Sequence, residues 1–245
     1  MPRLDTMLVE RGLVPSRSRA LDLIRRGFVS VDGKPQTKAG LVVAGDAEIA
    51  LAAATPGYVS RGAEKLAAAL DHFGFDCLGR FALDIGASTG GFTEVLLQRG
   101  AAHVTAVDVG RAQLHATLRG NTRVTVREAT DARTLMAADF GQPPSALVAD
   151  VSFISLEKAL PRALALAHDN AWLTALIKPQ FEVGRDHVGK GGIVRDVEVA
   201  RGAVARVAAW LASVGWRPVG TMASPITGGD GNQEYLIGAL KGGGP

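Results

Sequence analysis

Between positions 84 and 92 the chain reads Asp84-Ile85-Gly86-Ala87-Ser88-Thr89-Gly90-Gly91-Phe92, a glycine-rich turn closing the apolar run from Phe81 to Ile85. A second apolar run, Val104-Thr105-Ala106-Val107, ends in a lone acid, Asp108. In an open parallel sheet, ligands sit outside the carboxyl ends of the strands, and glycines there let the backbone approach them closely. The two blocks therefore predict a strand, a turn and a second strand, with a cofactor crevice at their ends.

An acid that closes the second strand can accept both ribose hydroxyls of an adenosine. Gly86, Gly90 and Gly91 do not fall as G-x-G-x-x-G, and no pyrophosphate cradle is evident. S-adenosylmethionine fits this pattern better than NAD. The same block also reads as a tight turn with an incidental acid beyond it, and alone it names no reaction.

The rest of the chain supplies the setting. Its 245 residues suit one large domain, or a medium one beside a small one. With 47% hydrophobic and 21% charged residues it is expected to fold as a globular protein and not to be disordered. Ala146-Leu147-Val148-Ala149 ends in Asp150, and the run Leu173 to Ile177 ends in Lys178. Leu156 to Ala167 predicts one amphipathic helix, and Val197 to Val214 another. Between them, Pro179 to Arg195 carries Gly184, Gly189, Gly191 and Gly192 and reads as a mobile connection. Strands are expected at Arg123 to Val126, Arg217 to Ala223 and Glu234 to Leu240. Strands alternating with helices imply an α/β fold with a doubly wound parallel sheet.

The N-terminal segment differs in charge. Residues 11 to 40 hold Arg11, Arg17, Arg19, Arg25, Arg26, Lys34 and Lys38 against only Asp22 and Asp32. Ser16 can cap a helix ended by Gly27, and Phe28 to Lys34 reads as a strand entering a tight turn. A compact helix and hairpin with basic residues on one side would grip an RNA backbone, while a solvated charged face is the other reading.

Several classes are excluded by absence. Cys77 is the single cysteine, which fits a reducing compartment, and it lies too far from the strand ends to be a nucleophile for C5 methylation. His72, His103, His115, His168 and His187 lack ligand spacing, so no metal is expected. Asp150-Val151-Ser152-Phe153 is not the Asn/Asp-Pro-Pro-aromatic turn that serves exocyclic amines, and Phe153 is expected to pack against the sheet, with base stacking as its other use. The Met1-Pro2-Arg3-Leu4-Asp5 start has no apolar region behind it, and Leu41 to Ala54 is too short to span a bilayer. A cytoplasmic location with no membrane partner is the expectation.

Leu4-Asp5, Ser18-Arg19-Ala20, Ile24, Gly27, Val29, Val31 and Asp32-Gly33 resemble the small RNA-binding domain of the ribosomal protein S-four type. From Val59-Ser60-Arg61-Gly62 to Gly231-Asn232-Gln233-Glu234-Tyr235, the chain is similar to the TlyA, or haemolysin A, family of ribosomal RNA 2′-O-methyltransferases. The blocks from Gly86, Asp150 (Asp-Val-Ser-Phe-Ile-Ser-Leu) and Lys178 (Lys-Pro-Gln-Phe-Glu-Val-Gly) carry that similarity in combination. The resemblance implies a Rossmann-like, FtsJ-like methyltransferase domain over 60–245 with an antiparallel final strand pair, after an α+β RNA-binding domain and linker over 1–59. It also implies 2′-O-methylation of cytidine ribose, with S-adenosylmethionine as cofactor and ribosomal RNA or ribosomal subunits as partner.

The residue roles follow from the same resemblance. Lys65, Asp150, Lys178 and Glu234 match the catalytic tetrad. Gly86, Ser88, Thr89, Gly90, Gly91 and Phe92 make up the block at the methionine side, Asp108 holds the ribose, Asp131 touches the adenine, and Asp84 supports the loop or the methionine amino group. Arg3, Arg17, Arg19, Arg25, Arg26 and Lys34 are the RNA contacts. Lys178 is either the base that takes the hydroxyl proton or an orienting group, and a structural ion-pair network is the bland reading of the four charges. A departure from the family lies in the linker, where Pro56-Gly57-Tyr58 replaces Arg-Ala-Trp and Tyr58 takes the aromatic place. The alternatives are a non-catalytic RNA-binding assembly factor and a membrane-lytic haemolysin. The nucleotide methylated, the choice between ribosomal subunits and the oligomeric state stay open.

Overall fold

The computed structural model describes residues 2–14, 16–52 and 57–242, so Pro56 of the linker and residues 243–245 of the tail lie outside the described residues. The chain divides into two compact units, Met1–Arg61 and Gly62–Pro245.

In the first unit, α1 (Leu4–Glu10) and α2 (Arg17–Arg25) pack together. Ser16 starts α2 by accepting the Arg19 backbone N–H at 3.2 Å, and Gly27, at φ 76°, ends it. Three short antiparallel strands follow, β1 (Val29–Val31), β2 (Lys34–Gln36) and β3 (Ile49–Leu51), in the order β2-β1-β3. Asp32 and Gly33 join β1 to β2 at φ 49° and 74°, the left-handed pair that a two-residue hairpin turn requires. Leu4, Leu8, Leu23, Ile24 and Val29 form the core of this unit.

The second unit runs α3 (Gly62–Phe73), β4 (Phe81–Ile85), α4 (Gly91–Gln98), β5 (His103–Val107), α5 (Ala116–Arg119), β6 (Val124–Arg127) and β7 (Ala146–Ala149). It continues with α6 (Leu156–Ala159), α7 (Pro161–Leu166), β8 (Trp172–Ile177), α8 (Pro179–Glu182), α9 (Val197–Ser213), β9 (Trp216–Ala223) and β10 (Tyr235–Lys241). The sheet order is β6-β5-β4-β7-β8-β10-β9, parallel throughout except that β10 is antiparallel to both its neighbours. Every residue of β8 is buried, as a strand covered on both faces demands, whereas β9 at the edge alternates half-buried and exposed residues after the buried Trp216. Ala200, Ala203, Val207 and Leu211 give α9 its buried stripe, and the Asp196 carboxylate caps it through the N–H groups of Glu198 and Val199.

Two expectations are corrected. The single helix expected from Leu156 to Ala167 is broken at Leu160, because Pro161 has no N–H for the helical ladder and starts α7 instead. The connection from Pro179 to Arg195 holds local structure: α8, a 3-10 turn over Arg185–His187, and a glycine turn closed by the Gly189 N–H on the Ile193 carbonyl at 3.0 Å.

Candidate active site

Strand order reverses on either side of β4, which opens a crevice outside the carboxyl ends of β4, β5 and β7. Gly86, Ser88, Asp108, Asp131 and Asp150 line a cleft of about 540 Å³ there. Gly86 sits at φ 83°, and a Cβ on it would overlap the Asp150 carbonyl, so only glycine lets the β4 turn pass the end of β7. Asp108 is held at both oxygens: Oδ2 accepts the Ser88 N–H at 2.8 Å and Oδ1 the Gly110 N–H at 2.7 Å. Each oxygen keeps a lone pair for a ligand. Asp131 is gripped by Arg133, whose guanidinium bonds both carboxylate oxygens and holds its pKa below the usual range.

Asp84 is fully buried. Thr93 Oγ1 donates to its Oδ2 at 2.6 Å, while Oδ1 has no hydrogen-bond partner among the described residues. Burial pushes its pKa up to about 7 against the pull of the Thr93 hydrogen bond. Gly90, Gly91 and Phe92 are buried at the start of α4 and Thr89 is exposed, and none of these four lines the cleft.

The four tetrad candidates form two ion pairs. Lys178, after β8, lies 2.6 Å from Asp150 Oδ1, off the hydrogen-bond axis, and donates to Ser152 Oγ at 2.8 Å. Lys65 on α3 donates to Glu234 Oε2, and both side chains are buried. Tyr235 is paired with Ile177, so Glu234 and Lys178 leave adjacent strands at the same end of the sheet. Ser152 carried no signal beyond its place two residues after Asp150.

Two expectations for individual residues change here. Phe153 is 90% exposed at φ 65°, lines the cleft and packs on Phe181 with ring centroids 5.0 Å apart. Its own left-handed backbone turns it outward, away from the sheet where apolarity alone would put it. Arg19, expected on the RNA-facing surface, is buried in the first unit and ion-paired with Asp22 at 3.1 Å. Arg3 and Arg17 share buried Asp5, at 3.0 and 2.9 Å, and hold its carboxyl at about 2, Arg3 contributing most. Arg26 stands 4.9 Å from the Phe28 ring centroid, and Arg25 and Lys34 are exposed.

Asn232, in the lead-in to β10, is 2% exposed and ties the glycine turn down. Its Oδ1 accepts the Val194 N–H at 2.9 Å, and its Nδ2 donates to the Gly192 carbonyl at 2.8 Å. Among the described residues no group of histidine, cysteine and acidic side chains could hold a metal, and no helix is long and apolar enough to cross a membrane.

A parallel sheet with a glycine turn after its first strand, an acid after its second and an antiparallel pair at one edge defines the Rossmann-like methyltransferase class. The FtsJ-like methyltransferase family matches residues 58–241 and the S4 domain matches residues 2–49. The chain is 46% identical over 236 residues to the 16S/23S rRNA (cytidine-2′-O)-methyltransferase TlyA of Mycobacterium tuberculosis, covering 96% of this chain and 88% of that one. It is 40% identical over 236 residues to Hemolysin A of Brachyspira hyodysenteriae, covering 96% and 98% of the two chains. A solved structure from Streptococcus thermophilus, carrying the hemolysin name, superposes with a TM-score of 0.80 at 38% identity, covering 100% of this chain and 90% of that one. The chain belongs to the TlyA family of FtsJ-like methyltransferases, with an S4 domain at its N-terminus.

Proposed function

We propose that this enzyme methylates the 2′-hydroxyl of a cytidine in ribosomal RNA, in the cytoplasm, with S-adenosylmethionine as donor. The observation that carries the reading is the Lys178, Asp150 and Ser152 cluster at the rim of a cleft whose far side offers the doubly anchored Asp108. The cofactor fits these residues: Asp108 for the ribose, Asp131 for the adenine, the Gly86 turn for close backbone approach, and the unpartnered Asp84 oxygen for the support of the methionine end. When bound, S-adenosylmethionine supplies an electrophilic methyl group on a positive sulfur.

The chain's own residues do the rest. A ribose hydroxyl is a poor nucleophile, so it must be oriented and must lose a proton as it reacts. Lys178 is placed to hold the 2′-oxygen, with Asp150 and Ser152 fixing its Nζ. The buried Lys65–Glu234 pair braces the adjacent strand end. Phe153, exposed beside this cluster, offers a ring on which a base can stack. The 1–59 region, through Arg3, Arg17, Arg25, Arg26 and Lys34, holds the RNA backbone.

Mapping 2′-O-methyl groups in ribosomal RNA from cells with and without this protein tests the reading. A cytidine methyl that disappears with the protein, and returns with the parent chain but not with Lys178→Ala, is the expected result. An unchanged map leaves an RNA-binding assembly role in its place.

A further inference from the structure

The loop that follows Asp108 is held by one carboxylate. Glu128, immediately after β6, accepts the backbone N–H groups of Ala112 at 2.6 Å, Gln113 at 2.8 Å and Leu114 at 3.0 Å, and Arg119 bonds it at 2.7 Å. The Leu114 N–H and then Arg119 hold the Glu128 carboxyl down at about 2, so it stays an anion throughout the neutral range. Three amide donors converge on one acid and pin the loop, with Ala112 at φ 51°.

The Gln113 side chain folds back over Gly110. A Cβ at Gly110 would overlap the Gln113 amide and lie 3.0 Å from Asp108 Oδ1, so amide and carboxylate flank the same side of Gly110. Gln113 lines the cleft together with Asp108, and its side-chain amide makes no hydrogen bond to another described residue. A concave site whose few polar groups converge is where ligand orientation is set. An amide brings both donors and an acceptor, complementing the acceptor-only Asp108.

We propose that Gln113 is a further cofactor residue, contacting the ribose edge of the adenosyl group beside Asp108, and that Glu128 is the positioning residue that places it there. The proposal rests on the reading of the cleft as an S-adenosylmethionine site.

Calorimetric titration of the full chain with S-adenosylhomocysteine tests it, using the parent, Gln113→Ala, Gln113→Glu, Glu128→Gln and the Gln113→Ala/Glu128→Gln double variant. Gln113→Ala should weaken binding roughly three- to tenfold, the scale of a lost hydrogen bond. Gln113→Glu should weaken it further, since it sets a second anion against Asp108. The double variant should be no worse than its weaker-binding parent single variant, because Glu128 acts through Gln113. Against the 2′-deoxy and 3′-deoxy forms of the ligand, the Gln113→Ala loss should vanish for the form lacking the hydroxyl it contacts. Parental affinity in Gln113→Ala, or an equal loss for all three ligands, overturns the contact, and additive losses overturn the positioning role. If the parent itself does not bind S-adenosylhomocysteine, the cofactor reading fails first.

Discussion

Asp150 and Lys178 end neighbouring parallel strands, β7 and β8, and meet at 2.6 Å, while Lys65 is matched separately to Glu234. Each lysine of the proposed tetrad therefore has its own carboxylate. The first pair is partly open to the cleft and the second is buried, so the two are placed for different work.

Lys178→Ala should keep its cofactor and RNA affinity and lose on the order of 10²-fold or more in single-turnover methyl transfer, the scale of a positioned acid–base group. Lys178→Arg separates proton removal from orientation, since a guanidinium cannot serve as a base at neutral pH. An active arginine variant assigns Lys178 an orienting role. A parental rate in Lys178→Ala makes the four charges structural.

Asp108→Ala should weaken S-adenosylmethionine binding by roughly 1.5–3 kcal/mol, as for hydrogen bonds to a charged group. The same variant frees the Ser88 and Gly110 N–H groups, so circular dichroism must accompany the calorimetry. Unchanged affinity in a folded variant removes Asp108 from the ribose site.

In the first unit, Arg25→Ala with Lys34→Ala should lower RNA affinity and reduce the slope of log K against log salt by about 0.7 to 0.9 per lost phosphate contact. Arg19→Ala should act differently, because it removes a buried guanidinium from Asp22, which keeps Arg26 at 3.5 Å and Arg61 at 3.8 Å. It should lower stability by roughly 1–2 kcal/mol, through the lost packing and charged hydrogen bond. If instead Arg19→Ala melts like the parent and only the salt slope falls, Arg19 is a surface contact.

Asp84 makes stability depend on pH in a definite sense. Its folded pKa of about 7 stands above the usual carboxylate value, so the folded state holds a proton that the unfolded chain releases. The stability this supplies is full below about pH 4 and is lost as pH rises towards 7. Asp84→Asn should therefore gain in melting temperature over the parent on going from pH 5 to pH 8, without cofactor. A difference constant across that range refutes the buried neutral acid.

The sequence made the strand ends legible because each strand closes an apolar run with a glycine or a charge: Gly86 after Ile85, Asp108 after Val107, Asp150 after Ala149, Lys178 after Ile177. The hairpin at Asp32-Gly33 and the cap at Ser16 were readable for the same local reason. What local pattern does not carry is the partner across space. Arg19 and Arg25 look alike along the chain, yet helical spacing turns one inward to Asp22 and leaves the other in water. The outward course of Phe153 comes from a left-handed backbone at a non-glycine residue, which no apolar pattern announces. Gln113 and Glu128, 15 positions apart, leave no local signal because their relation is made of backbone amides.

The side-chain clamp at Asn232 has a consequence for how this chain tolerates length. Gly192 and Val194 are bonded to a residue two positions before Glu234, so the C-terminal half of the glycine-rich connection is indexed to the β10 strand. Extra residues placed after Val183 can bulge into solvent, whereas one inserted between Gly192 and Val194 would shift the frame in which Asn232 reads both of its partners. Variation in loop length among such chains should accordingly collect on the α8 side of the turn.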